Sequence, residues 1–144
     1  MKNTIELDIT VPNQTRYLGL IGKIGENMAR ELDRFQGDRE ALAHHLNIVL
    51  TEAMVNAIVH ANAADPEKEL HIRISISDSE IAIRVYDYGQ GFDLNSIPCQ
   101  PDFETDQLKD KGRGIFIIRS LMDSVEYIKL NGQNVLEMKK SINS

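Results

Sequence analysis

The sequence predicts an α+β fold, a two-layer sandwich with helices on one face of a mostly antiparallel sheet. Three observations predict it. Residues 70–85 alternate apolar and polar on either side of a short turn, the mark of a hairpin covered on one side. Residues 18–35 and 38–63 carry apolar residues at helical spacing. Asn131-Gly132 separates two further alternating runs and is a strong hairpin signal.

The elements follow in order. Ile5, Leu7, Ile9 and Val11 alternate with Thr4, Glu6, Asp8 and Thr10, giving a strand that Pro12 stops. Asn13 is a candidate cap for a helix carrying Leu18, Ile21, Ile24, Met28, Leu32 and Phe35, with Gly37 as its stop. Asp38 then caps a second helix that runs to about Ala63, where Asp65-Pro66 ends it. Leu70, Ile72, Ile74 and Ile76 form the buried face of the next strand. Asp78-Ser79-Glu80 turns the chain, and Ile81, Ile83 and Val85 continue that face. Residues 94–111 have no period and contain Pro98 and Pro101, so they read as a functional or mobile loop. Ile115 to Met122 is a short apolar helix, and Val125–Leu130 and Val135–Lys139 are the last two strands.

Length and composition bound the function. A chain of 144 residues fits one domain with a real core. A net charge of −6 argues against nucleic acid or an anionic membrane as the main partner. Cys99 is alone, so no internal disulfide forms, which suits a reducing cytosol. No apolar run is expected to reach membrane-spanning length and no signal-like start is evident, so a cytoplasmic location is expected.

Three segments carry chemistry. At about 100° per residue, Leu46, Leu50, Ala53 and Ala57 form one apolar arc of the second helix. Ile48, Val55 and Val59 form another, and Glu52, Asn56 and His60 fall between them. A carboxylate so bordered is costly without a partner. It is either a solvated flank or a group that activates a hydroxyl or water. Asn56 offers a hard oxygen to a phosphate-bound magnesium ion. Asp87 continues the Ile81, Ile83, Val85 series, so its carboxylate should point to the covered face and need a donor, such as an exocyclic amine. The plainer alternative is a cap on the turn at Tyr88-Gly89. Gly89 and Gly91 permit close backbone approach. Gly112-Arg113-Gly114 opens a helix whose free N–H groups suit phosphate, with Lys109, Lys111 and Arg113 adding positive charge. A flexible hinge is the competing reading of that segment.

In their order and spacing these segments resemble the GHKL ATP-binding fold, and within it the bacterial anti-sigma-factor serine kinases. Glu52-x-x-x-Asn56-Ala57-x-x-His60 is similar to that family's asparagine box. Asp87-x-Gly89-x-Gly91-Phe92-Asp93 is similar to its first glycine box, and Gly112-x-Gly114 with the Ile115–Ile118 run to its second. The resemblance implies ATP and magnesium as cofactors. It implies Glu52 as general base, Asn56 as magnesium ligand, and His60 as a further pocket residue. It implies Asp87 on the adenine amine, Gly91 under the base, and Lys111, Gly112, Arg113 and Gly114 around the phosphates. Residues 94–111 would be the lid. The implied activity is a serine/threonine protein kinase that phosphorylates a small anti-sigma-factor antagonist and sequesters a sigma factor. A homodimer is admitted by the same resemblance. One position departs: where some relatives carry an arginine, this chain has Asp110, with Lys109, Lys111 and Arg113 as nearby substitutes. That departure favours the alternative, a non-catalytic nucleotide-gated binding module. A detached histidine-kinase catalytic domain is disfavoured by the lack of a phosphoacceptor helix pair, and adjacent His44 and His45 cannot both face one site.

Overall fold

The computed structural model describes residues 4–32, 35–61, 65–88, 111–130 and 132–142. Five strands form one sheet: β1 (Ile5–Pro12), β2 (Glu69–Ile76), β3 (Glu80–Asp87), β4 (Ser124–Leu130) and β5 (Gln133–Ser141). Their spatial order is β1-β2-β3-β5-β4. Every pairing among the described residues is antiparallel, in keeping with the mostly antiparallel sheet expected. Helices α1 (Leu18–Arg30), α2 (Arg39–Val55) and α3 (Lys111–Leu121) complete the described elements, with two short irregular helical turns.

The period-two pattern explains the layering. Leu70, Ile72, Ile74 and Ile76 are buried, and the register sets Ile72, Ile74 and Ile76 opposite Val85, Ile83 and Ile81. On the reverse face His71 contacts Asp8 and stacks on Tyr86 with ring centroids 4.8 Å apart. Arg84 donates to Glu137 at 2.7 Å on that same face. Charge and aromatic stacking there replace the hydrophobic cover that the helices give the other side.

α2 is the core helix. Leu42, Leu46, Val49, Leu50, Ala53 and Met54 are buried, and it packs against both α1 and α3. Asp38 caps it as expected, accepting from the backbone N–H of Glu40 and Ala41. Arg39–Val59 is long and apolar enough by composition to cross a membrane, contrary to the sequence expectation. Of its most apolar window, 56% is buried inside the protein.

Two helix boundaries differ from expectation. Asn13 does not cap α1. It is buried, and its Nδ2 donates to the Asp65 carbonyl, tying the end of β1 to the segment before β2. α1 instead follows a 3-10 turn at Thr15–Tyr17 and has no side-chain cap. It stops at Arg30, well before Gly37. Leu32 and Phe35 are held by successive turns, with Leu32 N–H bonded to Ala29 O and Phe35 N–H to Leu32 O. Turns can keep the inward spacing of a helix, so periodicity overran the true end. The last hairpin is as read: Gly132 has φ +81°, which only glycine adopts cheaply. Asn131 lies outside the described residues.

Candidate functional site

The site begins where α2 changes character. The regular helix ends at Val55 and continues as a π-helical segment, Asn56–Ala61. Such segments are rare and concentrate at functional places. The wider turn means that the four-residue step joining Glu52, Asn56 and His60 does not run straight past Asn56. Val59, assigned to an apolar arc from the wheel, is accordingly 42% exposed. The π segment packs against both β3 and α3, so it links the strand ending in Asp87 to the helix carrying Gly114.

Glu52 and Asn56 meet the first turn of α3 at Gly114. A Cβ placed on Gly114 would lie 3.0 Å from Glu52 Oε2 and 3.2 Å from Asn56 Nδ2. Any larger residue would press on both groups, so glycine here serves close approach. Asn56 is only 2% exposed, and its Nδ2 has no hydrogen-bond partner among the described residues. A buried amide without a partner is unfavourable. A phosphate oxygen would satisfy Nδ2. With the carboxamide turned over, Oδ1 would take the same place and suit a magnesium ion. The residues present therefore fit the nucleotide and metal that the sequence implied.

Glu52 is half-buried at this junction. Burial pushes its carboxyl above the usual carboxylate range, and the Arg113 guanidinium partly offsets that rise. A carboxylate raised toward neutrality is suited to accept a proton from a hydroxyl. Arg113 itself is exposed on the first turn of α3. The site thus joins a base of raised pKa, a buried carboxamide, a cation and a helix N-terminus.

Asp87 lies at the other end of the π segment's contacts. It is 2% exposed, on the same face as Val85, as parity predicted. It does more than shape a turn. Asn134, its direct partner on β5, donates from Nδ2 to Oδ1 at 2.9 Å. Tyr127 on β4 donates from its hydroxyl to Oδ2 at 2.6 Å. Neither residue was singled out from the sequence. Parity would have placed each on the covered face, but only the strand order brings them to Asp87.

Gly89 and Gly91 lie outside the described residues, as does the expected lid up to residue 110. For His60, Lys111 and Gly112 only the backbone is described. A separate cleft of about 510 Å3, lined by Thr10, Glu67, Lys68, Glu69, His71 and Tyr88, holds none of the candidate residues.

Residues 12–140 match the family model described as a histidine kinase-like ATPase domain. Among similar proteins, the Serine-protein kinase RsbW of Bacillus subtilis (strain 168) is 30% identical over 145 residues, spanning 96% of this chain and 88% of the relative. The proteins of the same name from Bacillus licheniformis and Oceanobacillus iheyensis are 28% and 29% identical. They span 95% and 92% of this chain, and 86% and 83% of their own lengths.

Proposed function

The chain belongs to the histidine kinase-like ATPase domain family, and from that premise we propose that it is a serine-protein kinase acting as an anti-sigma factor. Its substrate is a serine on a small anti-sigma-factor antagonist, and its second partner is a sigma factor. Phosphorylation releases the antagonist and leaves the kinase free to hold sigma. Similarity to three kinases named RsbW supports the activity class. The observation that carries the mechanism is the convergence of Glu52 and Asn56 on Gly114.

Each residue has a stated task. Glu52 takes the proton of the attacking serine hydroxyl. Asn56 holds the metal-phosphate unit through its carboxamide, and His60 borders it. The backbone at Gly112 and Gly114 receives phosphate oxygens at the start of α3. Lys111 and Arg113 offset their charge. Asp87 accepts from the adenine amine, and Gly89 and Gly91 let the base lie close. Residues 94–111 close over the nucleotide as a lid within a single domain spanning residues 1–144. Magnesium-ATP, when bound, supplies the phosphoryl group and neutralises charge as it transfers. Positioning and electrostatics carry most of the rate.

The reading extends to surroundings. The protein works in the cytoplasm, touching neither nucleic acid nor membrane. A homodimer is supported by exposed Ile5 on edge strand β1, which lines a cleft of about 270 Å3 with Ile24 and Met28, and by exposed Leu20 on α1. Asp110 supports the second reading, a nucleotide-gated module that binds partners without transferring phosphate.

Capture of partners from host lysate with magnesium-ATP and with magnesium-ADP separates the two. The kinase reading expects phosphoserine on a small partner with ATP alone, together with a sigma factor. A nucleotide-dependent partner that never acquires phosphate would establish the binding module instead.

A further inference from the structure

We infer that Tyr127 and Asn134 are positioning residues that set base choice: they hold Asp87 as an acceptor, so the site takes a 6-amino purine and rejects a 6-oxo purine. The inference rests on the nucleotide reading above and assigns roles to two residues outside the sequence motifs.

The geometry is a three-strand convergence. Asp87 ends β3, and Asn134 stands directly opposite on β5. Tyr127 comes from β4, where its register partner is Leu136, two residues along from Asn134 on the same inward row. Its hydroxyl therefore reaches Asp87 diagonally. Among the described residues, Asn134 donates to Oδ1 and Tyr127 donates to Oδ2. The short 2.6 Å contact to Tyr127 suits a hydroxyl donating to a charged oxygen.

The consequence is chemical. An ionised carboxylate only accepts hydrogen bonds, whereas a protonated one also donates. The donors from Asn134 and Tyr127 hold the Asp87 carboxylate oriented as an acceptor. Any further partner of Asp87 must then be a donor. The 6-amino group of adenine is one. The 6-oxo group of hypoxanthine or guanine is an acceptor, and it would meet a buried acceptor head-on. Removing a donor changes that. Without Tyr127's hydroxyl or Asn134's amide, the carboxylate loses one of the two donors that orient it, and with it the fixed presentation of its acceptor oxygens to a 6-amino group.

The test is calorimetric titration of the full chain with magnesium-ATP and with magnesium-inosine triphosphate, for wild type, Tyr127→Phe and Asn134→Val. Wild type is expected to favour ATP by at least about 100-fold. Each variant is expected to cut that ratio by about tenfold. Both ligands are titrated into one sample, so a loss of folded protein does not change the ratio. Equal weakening of both nucleotides, with the ratio intact, would make the two residues merely structural and overturn the inference. Equal affinity of wild type for both nucleotides would overturn it too, while leaving the nucleotide reading standing. Binding of neither would overturn that reading and the inference together.

Discussion

Gly114 and Glu52 stand 62 positions apart in the sequence, yet a Cβ on the first would lie 3.0 Å from Oε2 of the second. The same Cβ would lie 3.2 Å from the buried Nδ2 of Asn56. The start of α3 is thus a wall of the site, pressed against the base and the carboxamide together.

Gly114→Ala is therefore expected to harm transfer more than stability. Displacement near the reacting groups costs about 100-fold in rate. Stability should change by less than about 1 kcal/mol, because Glu52 is a flexible half-buried side chain that can give way, and alanine favours the helix. Single-turnover phosphorylation beside a thermal melt distinguishes the two effects.

Acid pH should silence the enzyme earlier than an ordinary carboxylate would. Burial raises the Glu52 pKa, so the ionised base is lost as pH falls through a value above the usual carboxylate range. Arg113 lowers it, so Arg113→Gln should move the acid limb of the rate profile to higher pH. The stability sign is opposite. A raised folded pKa gives stability that is present below the unfolded value and lost as pH rises through the folded one. Glu52→Gln should therefore gain on wild type at neutral pH and lose that gain in acid, as denaturant melts at both pH values would reveal.

Asp87→Ala removes the acceptor for a buried donor, Asn134, and a half-buried one, Tyr127. Leaving Asn134 and Tyr127 without it should cost about 1–3 kcal/mol and abolish nucleotide binding. Urea unfolding and ATP titration of the variant report the two losses separately.

Asp38→Ala tests the platform rather than the chemistry. Loss of the α2 cap should cost about 1 kcal/mol, or roughly 2–4 °C in melting temperature for a chain of this size. The transfer rate measured well below the melt should remain that of wild type, since Glu52 lies more than three turns away along α2.

Much of this was legible in the residues. One-sided alternation in Leu70–Ile76 and Ile81–Val85 predicted the layers, and Asp38 and Gly132 marked real boundaries. The parity of Asp87 predicted its burial. What stayed hidden depends on distant register or on backbone detail. Tyr127 and Asn134 find Asp87 only through the β3-β5-β4 order, which no local pattern encodes. Asn13 has the chemistry of a cap, but Asp65, fifty-two residues on, claims its amide. The π segment at Asn56 keeps apolar residues that read equally well as α-helix, so the periodicity held no warning of it.

The most direct test of the central claim is phosphoserine formation on the captured antagonist by wild type and Glu52→Gln at neutral pH, with ATP binding measured on both. The account predicts that the variant binds ATP but transfers at least about 100-fold more slowly. Transfer at the wild-type rate by Glu52→Gln would contradict it, and the base would have to be sought elsewhere.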